Sequence, residues 1–129
     1  MPTWGEIYEF TRSKYNLSVE EPERFALIWA YDDGRSQQIF CRRFEAFNQE
    51  MIEFRTPVCK ENEMPHTVAL RKNSEFAIGA LVLENGHIFL MHNALLRNLD
   101  MEEFELPLHV LARTADNLEK DFSSGNDDY

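Results

Sequence analysis

The stretch that decides the fold is FAIGALVLENGHIFLMH, residues 76–92. Two apolar runs meet at Asn85-Gly86, and this dipeptide favours a two-residue hairpin turn because both residues accept positive φ angles. The stretch therefore predicts two antiparallel strands joined by a tight turn. The register that follows from such a turn places three pairs on one side of the ribbon, namely Leu83 with Ile88, Leu81 with Leu90 and Gly79 with His92.

The other side of the predicted ribbon is equally apolar. It carries Ile78, Ala80, Val82, Phe89 and Met91, with Asn93 opposite Ile78. An apolar surface needs a cover, and a single layer of helices covers only one face of a sheet. The sequence leaves three covers open: the first or second helix of the same chain, a second subunit, or a client peptide. These five apolar residues are therefore the candidate dimer or client-binding surface.

The segment LDMEEFELPLHVLARTADNLEKDF, residues 99–122, predicts a long amphipathic helix. Asp100 suits the N-cap with Glu103 three residues later, and Leu99 with Phe104 forms a hydrophobic staple. Apolar residues then recur at steps of four and three, namely Phe104, Leu108, Leu111, Ala115, Leu118 and Phe122. We expect this seam to cover one face of the sheet. Pro107 predicts a kink, or a first turn set off from the rest.

The N-terminal region predicts another amphipathic helix. It starts at Pro2 or Thr3, and one side carries Trp4, Ile7, Tyr8, Thr11 and Tyr15. An aromatic stripe of this kind typically packs on a sheet.

Three antiparallel strands and a short helix follow the first helix. RFALIWAY and SQQIFCRRFEAF meet at a turn through Asp33-Gly34, and EMIEFRTPV alternates as a third strand. Pro57 near the end of that strand predicts a sheet edge, because proline cannot donate a hydrogen bond. PHTVALRK predicts a short helix between Pro65 and Asn73.

Composition indicates one globular domain, residues 1–122, followed by a flexible acidic tail, residues 123–129. A net charge of -10 argues against nucleic acid as a partner, because phosphate binding needs clustered basic residues. Two cysteines and an N-terminus without a basic and apolar leader favour the cytoplasm. The longest apolar stretch, IGALVL, is too short to span a membrane.

The residues that could carry chemistry are scattered, so we predict no catalytic residue, metal site or cofactor. His87 and His92 are five residues apart on one strand and point to opposite faces. Cys41 is interpreted as a packed strand residue, although Arg42 and Arg43 could lower its pKa. Two alternatives stay open: an enzyme with an unrecognised site, and a structural subunit of a larger complex.

The order of these elements resembles the type III secretion chaperone-like fold, and more closely the YbjN-like and related small bacterial proteins. The resemblance covers about residues 4–122 and is carried by DGRSQQIFCRRFE with IEFRTPV, by ALRKNSEFAIGALVLENGHIFLMHNALL and by residues 99–122. Pro107 departs from the unbroken last helix that the resemblance leads us to expect.

The resemblance implies an α+β domain with an antiparallel sheet of about five strands, in the order α-β-β-β-α-β-β-α. It also implies a small acidic cytosolic protein that forms homodimers. Such a protein binds segments of other polypeptides on apolar patches, in a chaperone-like or regulatory role without catalysis.

Overall fold

The computed structural model describes residues 2–31 and 34–122. Its helices are α1 (Trp4–Lys14), α2 (His66–Asn73) and α3 (Met101–Phe122). Its strands are β1 (Asn16–Glu21), β2 (Arg24–Ala30), β3 (Ser36–Ala46), β4 (Gln49–Lys60), β5 (Ala80–Glu84) and β6 (His87–Leu95). The predicted α+β class and antiparallel sheet are confirmed, with β1 as one strand more than expected.

The six strands form one antiparallel sheet in the order β1-β2-β3-β4-β6-β5. The prediction that Pro57 marks an edge is wrong, because β4 pairs with β3 on one side and β6 on the other. The register between β4 and β6 shifts between Pro57 and Cys59. Such a bulge lets a central strand accommodate a residue that has no N–H to donate.

The predicted hairpin is confirmed between Ala80 and Met91. Asn85 has a φ of 53° and Gly86 a φ of 79°, and the strands pair as expected on either side of this turn. The outermost predicted pairs, Gly79 with His92 and Ile78 with Asn93, are wrong because β5 begins only at Ala80. Ile78 and Gly79 lie instead in the loop that leads from α2 into β5.

Helices α1 and α3 pack on the same face of the sheet. Trp4 of α1 stacks on Phe25 with 5.2 Å between ring centroids, and Phe104 of α3 lies 5.6 Å from Phe54. Phe25 and Phe54 both pair with Cys41 on β3, so all three residues share this face. We call it the helix face.

The start of α3 is as predicted, since Asp100 Oδ1 accepts a hydrogen bond of 2.8 Å from the Glu103 N–H. The seam is buried from Phe104 to Leu118, and Phe122 is half-buried. The helix continues through Pro107, which is itself buried, so no separate first turn precedes it.

Helix α2 flanks the outer edge of β5. It begins after Pro65 and ends at Asn73, as predicted. The Asn73 side chain accepts a hydrogen bond of 2.7 Å from the Leu81 N–H and donates one of 3.3 Å to the Leu81 carbonyl. The amide of Asn73 therefore takes the place of a neighbouring strand.

Two predicted features fall on residues outside the described ranges: Asp33 of the β2–β3 turn, and the tail at residues 123–129. Within the described ranges, no helix combines the length and the apolar character that a membrane crossing requires.

Candidate functional site

The sheet face opposite the helix face is where the predicted surface residues meet. A row of cross-strand partners crosses five strands here, from Ala26 through Phe40, Arg55 and Met91 to Ala80. Side chains alternate along each strand, so residues two or four positions away lie on this same face. They include Ile28, Gln38, Arg42, Phe44, Met51, Glu53, Val82 and Phe89. We call this surface the open face.

The two faces of the β5–β6 hairpin differ in burial. Leu81, Ile88 and Leu90 on the helix face are buried, with 7%, 2% and 0% of their surface exposed. On the open face, Ala80, Val82, Phe89 and Met91 are all half-buried. In the described part of the chain, α1 and α3 pack on the helix face and α2 flanks the edge. Of the three covers that the sequence allowed for this apolar face, α1 and α2 are therefore not the one.

A charged network lies in the middle of the open face. Glu53 has only 7% of its side chain exposed, and its carboxylate lies 2.9 Å from Arg42 Nη2 and 3.1 Å from Arg55 Nε. Arg55 Nη1 is also 3.0 Å from Glu84 Oε1. Because these charges neutralise one another within the face, a partner could cover them without leaving a buried charge unpaired.

The guanidinium groups of this network also pack against apolar side chains. The Arg42 guanidinium lies 4.6 Å from the centroid of the Phe44 ring, and that of Arg55 lies 5.0 Å from the centroid of Phe89. Arg55 Nη2 is 3.5 Å from the Met91 sulfur. These contacts hold the aromatic and thioether groups in place beside the charges.

A groove of about 460 Å³ runs over this region. Its lining includes Phe40, Phe89, Arg42, Arg55 and Glu53. It combines aromatic surface with arginines that can still donate hydrogen bonds. A surface of this kind suits the side chains and backbone carbonyls of a polypeptide segment.

The groups near the groove that could carry chemistry are held in packed positions. Cys41 is fully buried, and this burial, with a smaller effect from the Glu53 charge, raises the pKa of its thiol well above the usual value. Burial lowers the pKa of His92, whose ring packs 6.1 Å from Phe54 on the helix face. Across residues 2–31 and 34–122, no three His, Cys, Asp or Glu side chains are grouped so as to hold a metal ion.

The structure brings together four of the five residues predicted from the sequence. Ala80, Val82, Phe89 and Met91 share the open face, whereas Ile78 lies half-buried in the loop before β5. The prediction missed Phe40 and the role of the Arg42–Glu53–Arg55 network. The alternation of Met51, Glu53 and Arg55 already placed these residues together on one face of β4, but the strand order was needed to set them beside Phe89.

Comparisons with known proteins bear on the fold. No protein-family model matches the sequence, and no curated protein matches it either. Among solved structures, the chain is similar to one chain of the HopA1–SchA chaperone–effector complex, with a TM-score of 0.59 and 13% identity. The match covers 87% of this chain and 88% of the other.

At this level of identity the likeness concerns the fold rather than the function. The match extends over nearly all of both chains, and the α+β arrangement of six antiparallel strands and three helices corresponds to it. The fold is therefore of the type III secretion chaperone-like kind.

Proposed function

We propose that the protein is a non-catalytic binding module that holds segments of other polypeptides on the open face of its sheet and works as a homodimer. The observation that carries this proposal is the open face itself. Its aromatic and aliphatic side chains are half-buried, and its charges are already paired with one another. Because the charges are paired, removing water from this surface costs less free energy than it would for unpaired charges.

The structural neighbour supports the same class of function. That protein belongs to a chaperone–effector complex, and its fold matches nearly the whole of this chain. Effector-like client polypeptides are accordingly the partners that we propose for the open face. The resemblance to YbjN-like proteins suggests that this binding could serve regulation as well as a chaperone-like role.

We also propose that the protein works in the cytoplasm. Both cysteines are free and buried, so within the fold neither depends on an oxidising compartment. The acidic composition, with a net charge of -10, is in keeping with a small cytosolic binding protein.

The test measures binding of a permanently unfolded polypeptide, reduced and carboxymethylated lysozyme labelled with fluorescein, by fluorescence anisotropy. Phe89→Glu and Met91→Glu each put a charge in the open face, and we expect each to weaken binding by about tenfold or more. Leu106→Glu is the matched control. Leu106 is 54% exposed on α3, so this substitution adds the same charge at a position away from the sheet.

Equal binding by all four proteins would overturn the assignment of the open face. Circular dichroism of each variant establishes that it is folded before its affinity is compared. Adding salt separates the apolar contribution from electrostatic attraction between charged groups of the protein and of the probe.

A further inference from the structure

Two arginines are direct cross-strand partners in the open face, at the centre of one row of paired residues. The row runs from β1 to β6 as Glu21, Arg24, Arg42, Glu53 and Asn93. Like charges directly opposite each other on neighbouring strands repel, because their Cβ atoms are only about 4.5 to 5.5 Å apart. The pair therefore concentrates positive charge at one point of a protein whose net charge is -10.

Each arginine of the pair has one carboxylate partner and further N–H groups to donate. Arg24 Nε binds Glu21, and Arg42 Nη2 lies 2.9 Å from Glu53 Oε2. A guanidinium has five N–H donors, and each of these contacts uses one of them. In the described part of the chain, neither guanidinium has a second hydrogen-bond acceptor. The side chains of Arg24 and Arg42 are 49% and 47% exposed, so both can reach a ligand from solvent.

The groove over the open face contains both members of the pair and has an excess of positive charge. Its charged lining residues are three arginines and two glutamates, namely Arg24, Arg42, Arg55, Glu53 and Glu84. Glu21 is not among them, and its side chain is 53% exposed. An ion pair as exposed as that between Glu21 and Arg24 is weak, so it competes little with another carboxylate for the Arg24 guanidinium.

The surroundings of the pair favour a single negative charge next to apolar groups. Phe40 and Phe89 line the same groove, so a ligand held by the arginines also contacts aromatic surface. The carboxylates of Glu21 and Glu53 lie in the same row and repel a doubly charged anion more than a singly charged one. A carboxylate carried by a chain with apolar neighbours meets both conditions.

We propose that Arg24 and Arg42 together bind an acidic side chain of the client polypeptide, while the aromatic surface beside them holds its apolar residues. A carboxylate accepts hydrogen bonds from two guanidinium groups at once, and such charge-assisted bonds are short and strong. It also offsets the repulsion within the arginine pair. This inference rests on the proposed function and names the segments that the open face selects, those that combine Asp or Glu with apolar residues.

The test compares two unfolded forms of one polypeptide that differ in their carboxylates. Reduced lysozyme is alkylated either with iodoacetate, which leaves a carboxymethyl group on each cysteine, or with iodoacetamide, which leaves the neutral amide. Fluorescence anisotropy of the fluorescein-labelled forms gives the affinity for each at one ionic strength. We expect the wild type to bind the carboxymethyl form more tightly, by about fivefold or more. Overall charge acts in the opposite direction, because a protein of net charge -10 repels the form with more carboxylates.

Arg24→Gln and Arg42→Gln each remove one guanidinium from the pair. We expect each to reduce the preference for the carboxymethyl form by about threefold or more, and to change the affinity for the amide form much less. Arg113→Gln is the matched control, because Arg113 is exposed on α3, which packs on the opposite side of the sheet. It changes the net charge equally and should keep the preference. Circular dichroism establishes that each variant is folded.

The outcomes separate this inference from the proposed function. Equal binding of the two forms by the wild type, or a preference that all three arginine variants reduce equally, overturns the carboxylate site and leaves the open face as a binding surface. Stronger competition by inorganic phosphate than by acetate, at equal ionic strength, makes the pair a phosphate site and also overturns it. If Phe89→Glu weakens the binding of neither form, the proposed function fails together with this inference.

Discussion

Gly79 lies at the point where the loop after α2 passes beneath the long helix. Its φ is 93°, and an added Cβ would lie 2.9 Å from Leu111 Cδ2 and 3.3 Å from Leu90 Cδ1. Both neighbours are fully buried, so neither can move away without disturbing the core. Two separate requirements, backbone conformation and close approach, therefore fall on one residue.

We predict that Gly79→Ala lowers the free energy of unfolding by about 2 to 4 kcal/mol, the sum of left-handed strain and overpacking. Gly86→Ala is the control, since Gly86 also has a positive φ, of 79°, but nothing within 4 Å of an added Cβ. Urea denaturation should show a smaller loss for Gly86→Ala. Equal losses for the two variants would mean that the contact with Leu111 contributes nothing.

The errors of sequence analysis at this scale have a common origin. Pro57 and Gly79 were each interpreted by the usual preference of the residue type, an edge for proline and a strand position for glycine. The bulge beside Pro57 and the close approach of α3 to Gly79 depend on elements distant in sequence. Local preference cannot contain that information.

At the scale of elements, one side chain caps the backbone of Leu81 at the outer edge of β5. Asn73 makes both of its hydrogen bonds to the backbone of Leu81. An uncovered edge strand would offer these groups to another chain, so Asn73 both anchors α2 and limits unwanted pairing.

We predict that Asn73→Ala lowers the free energy of unfolding by about 1 kcal/mol and speeds hydrogen exchange at the Leu81 amide. Asn98→Ala is the matched control, because Asn98 is exposed in the short turn before α3. If the Leu81 amide exchanges equally fast in both variants, α2 is held by its apolar contacts alone.

A second link between elements joins α1 to α3. Lys14 Nζ and the Tyr15 hydroxyl each donate a 2.6 Å hydrogen bond to Glu105 Oε2. Partial burial raises the pKa of Glu105, but these two hydrogen bonds and the Lys14 charge together hold it below its usual value of 4.5. The ionised form is therefore favoured in the folded protein.

The pKa of Glu105 is lower in the folded state, so the ionised Glu105 side chain stabilises the fold. This stabilisation is complete above about pH 4.5 and is lost as the pH falls through the folded pKa. We predict that Glu105→Gln costs up to about 1 kcal/mol near neutral pH and nothing near pH 2. Thermal melts across this pH range would reveal a constant difference if the link were not ionic.

Elements with strong local signals were predicted accurately. The Asn85-Gly86 turn and the Asp100 cap fixed the hairpin and the start of α3, because turn and cap chemistry depend on a few adjacent residues. Strand β1 was missed, since NLSVEE is short, half polar and largely exposed at the sheet edge. Its pairing with β2 comes from the β1–β2 turn and not from an apolar pattern.

At the scale of the whole molecule, the six-stranded sheet has one face committed to helices and one face without a helical cover among the described residues. The sequence predicted a second apolar face but not its charged centre, because the Glu53 network needs β3 beside β4, and β5 one strand beyond them across β6. Strand order is a property of the complete fold and cannot be predicted from any single segment.

Substitutions on the two faces of the β5–β6 hairpin should differ in how much they lower the free energy of unfolding. Leu90→Ala removes a fully buried side chain from the helix face and should lower the free energy of unfolding by about 2 to 5 kcal/mol. Phe89→Glu and Met91→Glu change half-buried neighbours on the open face and should cost about 1.5 kcal/mol or less. Urea denaturation of the three variants provides the comparison.

The same variants decide what the open face does in the assembled protein. If the open face binds a client and not a second subunit, Phe89→Glu should keep the wild-type mass in light scattering while losing affinity for the unfolded probe. Dissociation of Phe89→Glu into folded monomers would instead make the open face the subunit interface. A loss of stability as large as that of Leu90→Ala would make it ordinary core, because a binding surface must tolerate exposure in the free protein.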